Sequence, residues 1–152
     1  MTHTGAAVRC ATETDTLALG ERIGTHAQPG DLILLSGELG AGKTVLVRGI
    51  ATGMGIDPAV VRSPTFVLHH VYRAGPRVLH HIDLYRLGPE ADIRLLDVDE
   101  MLESGVVVVE WGEHSSLLGR VHLRLQFEIE EAGARLITPS DVPAHLVPAW
   151  SH

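Results

Sequence analysis

The sequence predicts an α/β fold, and three observations predict it. Leu32-Ile33-Leu34-Leu35 is a short, wholly apolar run that suits a buried parallel strand. The window Gly37-Glu38-Leu39-Gly40-Ala41-Gly42-Lys43-Thr44 follows it directly. Beyond that window Val47, Ile50, Ala51 and Met54 recur at helical spacing, and Gly55 stands where that helix can end. Strand, glycine-rich loop and helix in this order make a nest of backbone N–H groups at a helix N-terminus, which is a site for phosphate.

The remaining elements follow along the chain. Val8-Arg9-Cys10-Ala11 reads as a short first strand. Thr12 or Thr14 caps a helix running to about His26, with Thr16, Leu19, Gly20, Ile23 and Ala27 on one face. Pro29-Gly30-Asp31 turns into the Leu32 run. After the loop helix, Val60 to Pro64 leads into a strand-like stretch from Thr65 to Tyr72. A turn at Ala74-Gly75-Pro76 joins it to a second strand, Arg77 to Asp83, and the two form a hairpin. Pro89-Glu90 opens a helical region to about Glu103, broken near Asp97 or Asp99. Val106 to Glu110 is another buried strand, and Val121 to Glu130 alternates like a half-exposed one. Glu131 to Ala134 turns the chain back through Arg135 to Pro139, giving a C-terminal β-hairpin. Residues 1–140 thus form one domain, and the tail 141–152, with Pro143 and Pro148, is expected to be irregular.

Composition narrows the function. The chain has 152 residues, 45% of them hydrophobic, which fits one compact domain. Its formal charge of −7 argues against a domain that grips nucleic acid by itself, since such domains carry a basic face. One cysteine, Cys10, excludes a disulfide framework within the chain and suits a reducing cytosol. Met1-Thr2-His3-Thr4 lacks the basic and apolar segments of a signal peptide, and no apolar run approaches the roughly 20 residues that span a bilayer. A cytoplasmic protein is the expectation.

Lys43 is the only lysine of the chain, and every other basic side chain is arginine. A compact ammonium fits between the β- and γ-phosphates of a nucleotide, where a planar guanidinium does not. Thr44 offers its hydroxyl to Mg²⁺. Asparagine is absent, so the Asn-Lys-x-Asp motif that reads guanine is absent too, and ATP is the expected nucleotide. Hydrolysis also needs acidic groups near the metal and the γ-phosphate. Asp83 and Glu110 each end an apolar strand, and strand C-termini line the ligand crevice of an α/β sheet. Thr65, in Ser63-Pro64-Thr65-Phe66, lies where switch proteins carry a threonine that senses hydrolysis, although the spacing alone also fits a plain loop. His69-His70 and His80-His81 suggest metal ligands, but neighbours in a strand point to opposite faces and zinc takes three or four ligands.

Taken in order, Leu39-Gly40-Ala41-Gly42-Lys43-Thr44, Ser63-Pro64-Thr65-Phe66, His81-Ile82-Asp83-Leu84-Tyr85-Arg86-Leu87 and Val109-Glu110-Trp111 resemble the bacterial TsaE family. These are small ATPases required for tRNA threonylcarbamoyladenosine biosynthesis. The resemblance runs from about Thr12 to Glu113 and implies a P-loop NTPase fold, a three-layer α/β/α sandwich with a mixed, mainly parallel sheet. It implies that Glu38, Leu39, Gly40, Ala41, Gly42 and Lys43 hold the phosphates and that Thr44 binds Mg²⁺. Asp83 would be the Walker B-like acid and Glu110 a second acid that is metal-linked or positions water. Thr65 would be the switch-like threonine. Thr12, Thr14 and Thr16 would approach the base or ribose, with Glu113 nearby. The implied partners are TsaD and TsaB, with tRNA reached through their complex.

Two other classes fit a P-loop. A small-molecule kinase needs an arginine-rich lid, and Arg86 and Arg94 are too few and too scattered for one. An assembly module would need nucleotide binding without turnover.

Overall fold

Two short strands, β1 (Thr2–His3) and β2 (Val8–Cys10), precede helix α1 (Glu13–His26). Strand β3 (Leu32–Gly37) and helix α2 (Lys43–Gly53) flank the glycine-rich loop, and a 3₁₀ turn (Pro58–Val60) follows. The hairpin β4 (His69–Ala74) and β5 (Arg77–Asp83) comes next, then α3 (Val98–Ser104) and β6 (Val106–Glu110). A second hairpin, β7 (Leu123–Ile129) and β8 (Arg135–Ser140), leads to β9 (Val142–Pro143) and a 3₁₀ helix (Ala144–Trp150). This computed structural model describes residues 2–3, 6–38, 42–62, 69–84, 97–110 and 123–150.

Seven strands form one sheet in the order β2-β8-β7-β3-β6-β5-β4, and β1 pairs separately with β9. The four central strands β7, β3, β6 and β5 run parallel. Both flanks are antiparallel, β4 on β5 at one side and β8 on β7 and β2 on β8 at the other. The sheet is therefore mixed, with its parallel part confined to the middle, where the apolar runs lie. Strands covered on both faces read as continuous hydrophobic segments. Leu32 to Leu35 and Val106 to Val109 are such segments, and all eight residues are buried.

Alternation within those strands divides the core in two. Ile33, Leu35, Val106 and Val108 face α1 and α2, with Leu19, Ile23, Leu46 and Ile50 above them. Leu32, Leu34, Val107 and Val109 face the opposite side, where Val98 and Met101 of α3 cover them. Helices on both faces of the sheet give the three-layer sandwich. Full burial of each large aliphatic side chain contributes about 1.5–3 kcal/mol, so this layering supplies much of the driving force.

Two details of the helical layer position the start of α2. First, α1 and α2 approach backbone to backbone. A Cβ on Gly20 would lie 2.5 Å from the Leu46 carbonyl oxygen, and one on Gly24 would lie 2.1 Å from that of Ile50. These contacts advance together along both helices, so α1 and α2 run parallel and bring their N-termini to the same end of the sheet. Second, Arg77 closes the other end. Its guanidinium donates to the carbonyls of Gly24 at 3.1 Å, Ala27 at 3.2 Å and Gly53 at 3.4 Å. Those are C-terminal carbonyls of α1 and α2, where a cation is favoured.

Most element boundaries agree with the sequence reading. The stretch expected as strand from Thr65 to Tyr72 is strand from His69, and its earlier residues lie outside the described ones, as does 89–96 of the expected helical region. The described end of that region is α3, with Asp97 as its N-cap accepting from the Glu100 N–H. The tail differs from expectation. Instead of being irregular, 142–150 pairs with β1 and then forms 3₁₀ turns with Leu146 and Ala149 buried. Tertiary contacts order it. Arg22 donates to the Ala149 carbonyl at 2.8 Å, and His145 Nε2 lies 2.8 Å from the Asp31 carboxylate. Among the described residues no helix is long and apolar enough to cross a membrane.

Candidate functional site

The parallel register sets the acids beside the end of β3. Leu35 of β3 and Asp83 of β5 both stand opposite Glu110 of β6. The two strand-end carboxylates are therefore neighbours at the C-terminal edge of the sheet, next to the strand that feeds the loop. This is the crevice in which open α/β sheets bind ligands.

The N-terminus of α2 points into the same space. Gly42 is its N-cap, with φ of 95°, a left-handed conformation that glycine adopts without strain. Among the described residues no side chain caps the helix, and its first turn holds no acid. The leading N–H groups and the positive end of the dipole are thus directed at the cavity, an arrangement that suits an anion. Lys43 is buried, and its Nζ donates to the carbonyls of Gly37 at 2.8 Å and Glu38 at 3.1 Å. The Thr44 hydroxyl donates to Glu110 Oε2 at 3.4 Å. Glu110 itself is only 4% exposed.

These groups line a cavity of about 530 Å³. Thr12, Thr16, Gly42, Lys43, Thr44, Asp83 and Glu110 all reach it, so most of the predicted set that falls on described residues converges. Thr12 arrives there because it caps α1. Its hydroxyl accepts from the Asp15 N–H at 3.3 Å, and the Asp15 carboxylate accepts from the N–H groups of Ala11 and Thr12. That capping box fixes the entry of α1 beside the start of α2. Thr14 is exposed and does not line the cavity. Glu38 is exposed, and its carbonyl meets Lys43. Leu39, Gly40, Ala41, Thr65 and Glu113 lie outside the described residues.

Sequence reasoning missed part of the cavity wall. Gly133 of the β7–β8 turn and Arg135 at the start of β8 line it, as do Cys10, Ala11, Glu13 and Val45. Burial pushes the Cys10 thiol up from its ordinary pKa, against an opposing hydrogen bond with Thr16. It also missed His81, whose Nε2 lies 2.5 Å from Glu110 Oε2. The neighbouring pair, His69 and His80, meets through Nε2 and Nδ1 at 2.9 Å. Desolvation lowers the pKa of both rings, that of His80 to about 4.

The donor set fits a magnesium nucleotide. It combines an uncapped helix N-terminus and an ammonium for phosphate oxygens with a hydroxyl and two carboxylates for a hard cation.

Comparison with known proteins places the chain. The family model for TsaE, "Threonylcarbamoyl adenosine biosynthesis protein TsaE", matches residues 10–137. The chain is 44% identical over 132 residues to the tRNA threonylcarbamoyladenosine biosynthesis protein TsaE of Mycobacterium leprae, covering 80% of this chain and 81% of that one. It is 38% identical over 126 residues to the Bacillus subtilis protein of the same name, covering 82% and 77%. The crystal structure of Bacillus subtilis YdiB superposes with a TM-score of 0.73 at 26% identity, covering 98% of this chain and 93% of that one. The register that sets Asp83 beside Glu110, the helix start that carries Lys43 and these likenesses converge, and the chain belongs to the TsaE family.

Proposed function

We propose that the chain is a Mg²⁺-dependent ATPase that supports a TsaB–TsaD complex in forming N6-threonylcarbamoyladenosine at position 37 of tRNAs reading A-starting codons. One observation carries the ATPase reading: Lys43, Thr44, Asp83 and Glu110 line one cavity at an uncapped helix N-terminus. The pathway reading is supported by the names of the relatives.

The residue roles follow from chemistry. The N–H groups at the start of α2 bind phosphate oxygens, and Lys43 exchanges the Gly37 and Glu38 carbonyls for the β- and γ-phosphates. Thr44 and one or both carboxylates hold the cation, which when bound supplies charge neutralisation at the phosphates. Where one carboxylate alone holds the cation, the other orients the attacking water. Thr12 and Thr16 border the cavity on the α1 side and would meet the base or ribose. Leu39, Gly40 and Ala41 would contribute backbone N–H groups, Thr65 would sense the γ-phosphate, and Glu113 would lie near the nucleoside. The charge of −7 fits a protein that leaves tRNA binding to its partners.

The test is reconstitution. TsaB, TsaD, tRNA, threonylcarbamoyl donor and ATP are combined with this chain or its Glu110→Ala variant, and modified A37 is counted over many turnovers. The parent should sustain modification, and Glu110→Ala should abolish it. Sustained modification by Glu110→Ala would favour an assembly module that needs only nucleotide binding.

A further inference from the structure

Glu110 poses a physical problem. Its carboxylate is almost fully buried at the cavity floor, beside apolar strands. A buried carboxylate is costly unless hydrogen bonds satisfy it. It must also hold one orientation, because catalytic groups work within about 0.5 Å of their productive position. Thr44 at 3.4 Å is too distant to fix it alone.

His81 supplies what is missing. It is completely buried on β5, two residues before Asp83 and on the same face of the sheet. Its Nε2 is 2.5 Å from Glu110 Oε2, the same oxygen that Thr44 reaches. Its Nδ1 is 3.3 Å from the Tyr72 hydroxyl, on the neighbouring strand β4. The Arg62 N–H donates to that hydroxyl at 3.4 Å, and the Arg62 carbonyl, also at 3.4 Å, is a second acceptor for its proton. Burial raises the Tyr72 pKa, so the phenol stays a donor. A ring with its proton on Nε2 donates to the carboxylate and accepts from the phenol at Nδ1.

We propose that His81 is the positioning residue of Glu110, with Tyr72 holding the imidazole ring so that Nε2–H faces the carboxylate. Thr44, Glu110, His81 and Tyr72 then form one hydrogen-bonded line from the cavity to the β4 side of the sheet. The proposal rests on the ATPase reading for its effect on rate, but the hydrogen bond itself does not depend on that reading.

The test has two arms. In the first, protein labelled with ¹⁵N-histidine and free of nucleotide is examined by NMR. His81 should carry its proton on Nε2, and that proton signal should shift in Glu110→Gln. A proton found on Nδ1 alone would overturn the proposal, whatever the activity. In the second arm, His81→Met, His81→Gln and Tyr72→Phe are compared with the parent in steady-state ATP hydrolysis, after thermal unfolding shows that each variant is folded. Loss of a group that orients a site residue typically costs about 10–100-fold. His81→Met should therefore lower kcat by that factor while KM for ATP changes less than about 3-fold. His81→Gln retains an N–H donor and should recover part of the loss. Tyr72→Phe should cost roughly 2- to 10-fold in kcat, the worth of one hydrogen bond. A rise in KM with kcat unchanged, or equal losses for Met and Gln, would contradict positioning. If the parent itself turned over no ATP, the ATPase reading would fail, and the NMR arm alone would decide the hydrogen bond.

Discussion

Gly20 of α1 and Gly49 of α2 touch through their backbones, because a Cβ built on Gly20 would sit 2.9 Å from the Gly49 Cα. The contact keeps the two helices in parallel register and holds the Thr12 cap beside the Lys43 turn. A side chain at position 20 must push α2 away, and overpacking of this kind costs about 1–3 kcal/mol. Gly20→Val should lose about that much stability in urea titration and should also weaken ATP binding, since the cavity lies between the two helix starts. Thr14→Ala, on the exposed side of the same helix, should change stability by less than about 0.5 kcal/mol. A Gly20→Val protein as stable as the parent would refute the close-contact account.

Lys43 is a case where charge does not substitute for shape. Its ammonium lies within 3.1 Å of two loop carbonyls in a buried position. Lys43→Arg keeps the charge but presents a planar fork in that space. Calorimetric titration with ATP and Mg²⁺ should show affinity reduced at least about 10-fold, equivalent to about 1.4 kcal/mol. Near-normal affinity would count against the assigned role of this side chain.

Much of this site was legible in the sequence. The loop and both acids announce themselves because apolar runs mark where strands end, and strand ends define the crevice. The Thr12 cap was legible as one of two threonines, and only the structure decides between them, through the reciprocal bond with Asp15. Arg135 was not legible as a cavity residue. It reaches the site because the antiparallel β7–β8 hairpin extends the sheet on the β3 side, a relation that local pattern does not encode. His81 was hidden for a similar reason. Alternation along β5 gives its face, but its partner is 29 positions away on β6. The tail was misread because prolines suggest irregular chain, whereas Leu146 and Ala149 are ordered by tertiary burial.

His80 predicts a pH dependence of stability. Burial, then His69 and Arg73, lower its pKa from 6.5 to about 4 in the folded protein. The unfolded chain therefore binds this proton more readily than the folded one. The stabilisation is complete above the unfolded pKa and is lost as pH falls from about 6.5 toward 4. By about pH 5.5 the His80 contribution should have fallen by roughly 1 kcal/mol, and His80→Gln should show a shallower decline over the same range. Parallel declines in parent and variant would exclude His80 as the cause.

The proposed function requires the cavity of Lys43, Thr44, Asp83 and Glu110 to turn over ATP in service of a partner complex. The most direct measurement is ATP hydrolysis by the purified chain in Mg²⁺, alone and with a TsaB–TsaD pair added. Slow turnover that rises when the pair is present is the predicted result. Turnover that is indifferent to the pair would contradict the partner-activated account and favour a kinase or another partner, and no turnover under either condition would contradict the ATPase itself.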